Sequence, residues 1–218
     1  MSWRRKATPS SVTPSQTTAQ LKDEFFDWMK SSFANGDVPY SVHSIVRNYR
    51  IGHLKPAWEV RLQVKNRFAE LWGTDQLLSS VGRRGDWSAS RNGRGRVRQP
   101  EQPWAYTSTN ARPGKGLHAY QGAVYLETAD EDDWTFEVLE GSHEHLEAFY
   151  AQNTKAAIRS VNTGLWRMRD EDISWYLQLG CRRKRVPARA GDLLLWDSRL
   201  VHANARPIKG REHNDRWR

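Results

Sequence analysis

A chain of 218 residues with 38% hydrophobic residues and eleven Trp can bury a substantial core, which excludes a disordered polypeptide. Its formal net charge of +9 suits anionic partners such as nucleic acid, and equally a solvated basic surface. Mean hydropathy is -0.83 and no stretch approaches the roughly 20 apolar residues of a membrane-crossing helix, which excludes such a span, while the lone Cys181 excludes an intrachain disulfide.

Residues 1–20 are rich in Ser, Thr and Pro, carry Arg4, Arg5 and Lys6, and have no acid before Asp23. This composition predicts a flexible basic tail. An organelle transit peptide has a similar composition, although Pro9 and Pro14 interrupt an amphipathic helix. Without an apolar signal segment or a disulfide, an intracellular, cytoplasmic setting is expected, with organelle targeting as the alternative.

From Leu21 the pattern is helical: Leu21, Phe25, Trp28 and Met29 share a face, and Asn35-Gly36 ends the run. A second helix is predicted over Trp58–Trp72, with Val60, Val64, Phe68 and Leu71 on one face and Gly73 just past its end. Residues 82–103 form a long Gly/Arg-rich loop in whose core, 82–98, Arg83, Arg84, Arg91, Arg94, Arg96 and Arg98 face a single acid, Asp86. These six arginines are candidate polyanion contacts, and Trp87 among them could stack on bases.

Beyond the loop the signals turn β-like. Residues 119–127 and 134–139 are short aromatic and β-branched runs on either side of the acidic turn Asp130–Asp133. Gly141-Ser142-His143-Glu144-His145 is expected to open a helix with Ser142 as its cap. A further helix fits Asp170–Leu179, with acids in its first turn, and Gly191-Asp192 turns the chain into the strand Leu193–Asp197. Strands behind N-terminal helices predict a mainly β, α+β domain over 21–218, a helix-flanked sandwich or barrel.

Several phrases occur in a telling order: IGHLKPAWEVR (51–61), LWGTDQLLSS (71–80), QGAVYLE (121–127), LEGSHEHLEAFY (139–150) and WYLQLGCRRKRVPARAGDLLLWDSRLVHANARP (175–207). Together they resemble the phytanoyl-CoA dioxygenase-like branch of the iron(II)/2-oxoglutarate dioxygenases, over residues 45–218. The resemblance implies a double-stranded β-helix, the cupin-like jelly roll. It also implies an iron(II) held by two His and one carboxylate, with 2-oxoglutarate anchored by an Arg.

On this resemblance His202 stands at the distal iron ligand, and Arg216 lies nearest the 2-oxoglutarate anchor, with Arg206, Arg211 and Arg218 beside it. The family's His-x-Asp pair follows a Pro-Trp and precedes the QG strand. Here that window is Pro103-Trp104-Ala105-Tyr106-Thr107-Ser108, so Tyr106 takes the place of the His and Ser108 that of the carboxylate. A second register puts His118 at the ligand position and Tyr120 at the carboxylate. The His143 and His145 turn belongs to the part of the family fold that supports the barrel, while His43, His53 and His213 have no partner at ligand spacing. The family continues into a further apolar core strand where this sequence reaches Arg218. A barrel lacking its last strand, or one completed by a partner, is therefore expected.

Two functions follow. In one, the dioxygenase fold serves as a non-catalytic scaffold for nucleic acid or a large protein assembly, bound through the basic loop and tail. In the other, an iron(II)/2-oxoglutarate-dependent hydroxylase works with an atypical site of His202, His118 or Tyr106, and Arg216 or Arg211. What separates them is whether His202 has a second iron ligand within reach.

Overall fold

The computed structural model describes residues 16–32, 50–80, 107–109, 113–133, 135–205 and 208. The chain divides into two compact units, Gln20–Pro103 and the pair Met1–Ala19 with Trp104–Arg218. The division falls at the end of the Gly/Arg-rich loop, inside what reads as one domain in the sequence.

The described part of the first unit holds most of a first helix, a 3₁₀ turn (Ile51–His53) and a second helix. Helix α1 (Gln16–Ser32) begins ahead of the expected Leu21, so the end of the stretch read as a tail is helical. No Gly or Pro interrupts the sequence between Pro14 and Gly36, and helix can propagate back from the apolar stripe through Thr18, which is buried. Helix α2 (Lys55–Trp72) also starts earlier than its apolar pattern suggests. Pro56 sits in the first turn, where its missing N–H costs nothing, and Gly73 ends the helix at φ 66°, a left-handed conformation that favours glycine. Val60, Val64 and Phe68 are half-buried, whereas Leu71 is exposed.

The second unit holds the sheets. Its elements in order are β1 (Thr107–Thr109), β2 (Tyr120–Val124), β3 (Thr135–Glu140), α3 (Leu146–Gln152), α4 (Thr154–Thr163), β4 (Leu165–Arg167), α5 (Asp170–Gln178), β5 (Arg182–Val186), β6 (Leu193–Asp197) and β7 (His202–Ala205). One sheet runs β4-β1-β7-β3-β5 and the other β2-β6, and all their pairings are antiparallel. The pairings are nested: β1 lies on β7, β2 on β6 and β3 on β5, as though one long hairpin had been folded over. Representative partners are Thr107 with His202, Ala123 with Leu194 and Val138 with Lys184.

Strand alternation explains how the layers meet. From β3, Phe136 and Val138 join Val186, Trp196 and Leu200 in a cluster that also packs Ala123 and Leu194 of the two-stranded sheet. Leu139 points the other way, into a core built with Leu146, Phe149, Tyr150, Ile173 and Tyr176 of α3 and α5. The larger sheet is thus covered on both faces, and each large side chain buried there contributes about 1.5–3 kcal/mol. The architecture is α+β, with helices packed on antiparallel sheets. Among the described residues no helix is long and apolar enough to cross a membrane.

Around residue 141 the structure corrects the sequence reading. Ser142 does not cap a helix: it starts a 3₁₀ turn, Ser142–Glu144, and α3 begins only at Leu146, after His145. Gly141 turns the chain at φ 86°, and Ser142 Oγ faces inward to accept a hydrogen bond from the Val201 N–H at 2.9 Å. That long-range partner replaces the local one.

Candidate functional site

Three hydrogen bonds donated by backbone N–H groups, two to carbonyls and one to a side chain, fix the approach to β7. The Leu200 N–H donates to the Asp197 carbonyl at 2.9 Å, the Leu139 N–H to the Val201 carbonyl at 2.9 Å, and the Val201 N–H to Ser142 Oγ. Val201 is fully buried, and the next residue, His202, is delivered into the interior as β7 begins. Its imidazole lies 5.5 Å from the Phe136 ring and 5.3 Å from Trp196, which are themselves 4.5 Å apart. Trp196 is held in turn by its Nε1–H donating to Gln121 Oε1 at 3.1 Å.

His202 Nδ1 donates to the Leu200 carbonyl at 2.8 Å. A carbonyl can only accept, so the ring proton sits on Nδ1 and Nε2 keeps its lone pair. Burial drives the pKa of His202 down to about 4, and the bond to Leu200 pulls it only part of the way back. At neutral pH this is an uncharged imidazole in an aromatic wall, with an oriented nitrogen able to accept a hydrogen bond or to bind a metal.

Strand β1 runs beside it. Thr107 stands opposite His202, and Ser108 pairs with Trp166 of β4. Tyr106, one residue earlier, lies outside the described residues. His118 is exposed, with its Nδ1 3.3 Å from the Gly116 carbonyl, and it precedes β2 of the other sheet. No strand pairing among the described residues brings it to His202. Among the described residues, no group of three His, Cys, Asp or Glu could hold a metal ion. Arg206, Arg211, Arg216 and Arg218, and the loop arginines Arg83, Arg84, Arg91, Arg94, Arg96 and Arg98, all lie outside the described residues, as does Trp87.

A second set of polar residues was not anticipated. Arg199 grips Asp197 with one guanidinium edge, Nη2 at 2.6 Å from Oδ2 and Nε at 3.0 Å from Oδ1. Burial works to raise the Asp197 carboxyl, but the Arg199 bonds outweigh it and hold the group below the ordinary carboxylate value. Nearby His143 is lowered chiefly by burial, against the pull of Asp197 and Glu144. Its Nε2 is 3.7 Å from Glu144 Oε1, and its buried Nδ1 has no hydrogen-bond partner among the described residues. These groups frame the turn and the loop that deliver His202. The Asp-x-Arg spacing of 197 and 199 was the available signal, since a carboxylate and a guanidinium two residues apart at a strand end can close such a fork.

No family model matches the chain. A curated protein of Aspergillus versicolor, Ava biosynthesis cluster protein O, is 25% identical over 206 residues, covering 83% of this chain. The chain spans 62% of the length of that relative.

Proposed function

We propose that this chain keeps the double-stranded β-helix of the iron(II)/2-oxoglutarate dioxygenases as a non-catalytic binding scaffold with a degenerate metal centre. The observation that carries this reading is the register that sets Thr107 against His202. Thr107 is the middle residue of the Tyr106-x-Ser108 stretch, at which the resemblance expects the His-x-Asp pair. The nested pairing of β1–β3 with β7–β5 supports a jelly roll, since a hairpin rolled on itself pairs its strands in that order.

The residues in place do not fit an iron(II) centre of the two-histidine, one-carboxylate kind, which needs three protein ligands on one face. Of the residues the resemblance assigns to the metal, His202 is an imidazole, while Tyr106 and Ser108 are poor ligands for a ferrous ion. On this reading the aromatic cluster of Phe136, Trp196 and His202 is interior packing between the sheets. The net charge of +9 suits an anionic partner, with Arg83, Arg84, Arg91, Arg94, Arg96 and Arg98 as its contacts.

One observation favours a hydroxylase with an atypical site: the oriented, uncharged Nε2 of His202 is in the state a metal ligand needs. The likeness to a protein of a biosynthesis cluster points the same way. Anaerobic titration with iron(II) and 2-oxoglutarate, on the wild type and on His202→Ala, separates the two. The scaffold reading expects no saturable uptake by either protein. Stoichiometric binding by the wild type that His202→Ala abolishes would overturn it in favour of the hydroxylase.

A further inference from the structure

We infer that the outward face of helix α4 is a docking surface for an acidic amphipathic helix of a partner protein. The helix is packed inside out: the side chains it turns to the core are small, and the large ones face water. Ala156 and Ser160 are fully buried, Ala157 packs against the core of Leu139 and Tyr176, and Ser160 Oγ is 2.8 Å from the Tyr150 hydroxyl. Ile158 and Val161 lie on the other side, 59% and 53% exposed. The fold does not explain them. An exposed helix position gains nothing from apolar bulk, and β-branched side chains lose rotamer freedom against the preceding turn. The helix is held at its ends without them: Asn153 Oδ1 accepts from the Ala156 N–H at the start, and Gly164 closes the end at φ 69°.

Single exposed apolar residues are ordinary, but these two fall on one line. Thr154, Ile158 and Val161 follow the four-then-three spacing of a coiled-coil seam, the row along which a second helix packs. Lys155 and Arg159 run beside this row, on one flank of it, and both are exposed. Neither makes an ion pair among the described residues. Helix α4 contains no acid.

Charge then decides the occupant. A second copy's α4 would bring two more cations to the seam and no carboxylate, which is unfavourable between neighbouring helices. An anionic lipid surface would draw the cations. A helix that lies in such a surface, however, sinks a broad apolar face rich in Trp, Phe or Leu, whereas α4 offers only Ile158 and Val161, with its cations to one side. A partner helix with an apolar row and carboxylates beside it satisfies both halves of the face: the rows interdigitate, and the acids meet Lys155 and Arg159.

This inference rests on the reading of the chain as a binding scaffold and names a partner for it. The iron titration reports on His202 and the following experiment on α4, so the failure of one is distinguishable from failure of the other. The probe is a fluorescein-labelled, alanine-based helical peptide with Leu at a and d and Glu at e and g of each heptad, titrated by anisotropy into the full chain. Expected are saturable binding, slowed amide exchange within residues 154–163, and loss of binding when the peptide's Glu are replaced by Lys. Lys155→Ala with Arg159→Ala should weaken binding about tenfold, the scale of two exposed charge pairs. Ile158→Ala with Val161→Ala should weaken it at least as much while leaving the urea midpoint of the free chain unchanged or higher, which a role in the core would not allow. A lowered midpoint in that variant, equal binding of the Lys peptide, or no peptide binding at all would each overturn the inference. So would binding of the wild type to phosphatidylserine vesicles that both double variants abolish, which would make the face a lipid surface.

Discussion

His202 is a buried imidazole, and its burial makes a pH prediction. An unfolded imidazole titrates near 6.5, and in the folded chain His202 titrates at about 4. Between those values the unfolded chain binds the proton and the folded chain does not. Stability therefore falls as pH falls from about 6.5 towards 4, by roughly 3 kcal/mol in all. His143, lowered mainly by burial, adds to the slope in the same direction. The carboxyl of Asp197, held low by Arg199 against its burial, contributes stability that is lost only at lower pH. Urea midpoints from pH 7 to 4 on the wild type and His202→Phe isolate the imidazole: the variant should have a flatter profile, and equal slopes would mean that His202 is protonated without cost. Ser142 is the second residue to test. Removing its hydroxyl in Ser142→Ala leaves the buried Val201 N–H unpaired, which costs about 1–3 kcal/mol. An unchanged urea midpoint would show that the bond does not brace the approach to His202. The third test restores what the sequence lacks: Tyr106→His with Ser108→Asp should gain saturable iron(II) binding that is lost on adding His202→Ala. That His202 follows a strand was legible, because the run Leu193–Val201 leads into it. The partner of Ser142 was not, because a serine after a turn looks the same whether it caps the next helix or bonds a strand far along the chain.

Among elements, what could be read depended on apolar content. Strands β2, β3 and β6 stand close to their expected places because at least half of the positions in Tyr120–Val124, Thr135–Glu140 and Leu193–Asp197 are apolar or aromatic. Strand β5 escaped notice because its outward positions are filled by charge and only Val186 marks the core. Strands β1, Thr-Ser-Thr, and β7, His-Ala-Asn-Ala, are too short and too polar to announce themselves. They are strands because β3 and β4 offer them ladders, a tertiary cause invisible to propensity. Helix α4 was missed although Asn153 caps it, its side chain accepting from the Ala156 N–H at 3.1 Å. The turn before α3 carries its own prediction. A methyl group at residue 141 would meet Cys181 Sγ at an ordinary 3.6 Å, so space is not the obstacle. The backbone is: at φ 86° an L-residue is strained, and Gly141→Ala should cost about 1 kcal/mol or more. Gly141→Asn, more tolerant of left-handed backbone, should cost less. The reverse order in thermal unfolding would mean that the turn is set by packing against Cys181 and not by φ.

At the scale of the whole molecule, the α+β class was legible from the order of helical and strand-like runs, but the nested pairing was not. Hydropathy marks which residues are strands and says nothing of which strand each one meets; β1 and β7 pair across most of the second unit. The division at Pro103 was hidden for a related reason, since a Gly/Arg-rich stretch reads alike as a loop within a domain or as a boundary between two. The division has an energetic consequence. Among the described residues of Gln20–Pro103 only Leu21 and Pro56 are buried, while Leu62 is 68% exposed and Trp58 42%. The other unit buries two clusters, with Leu139, Leu146, Val201 and Tyr176 almost wholly removed from water. At about 1.5–3 kcal/mol for each large apolar side chain, the helical unit has far less to hold it closed. Native-state hydrogen exchange should therefore find α2 opening at a much smaller free energy than β3, which is hydrogen-bonded on both sides by β5 and β7. In low urea the α2 amides should exchange through a separate opening, with β3 exchanging only when the second unit unfolds as a whole. A single shared opening free energy for α2 and β3 would mean that the two units fold as one, and that α2 is stabilised by contacts beyond its own unit.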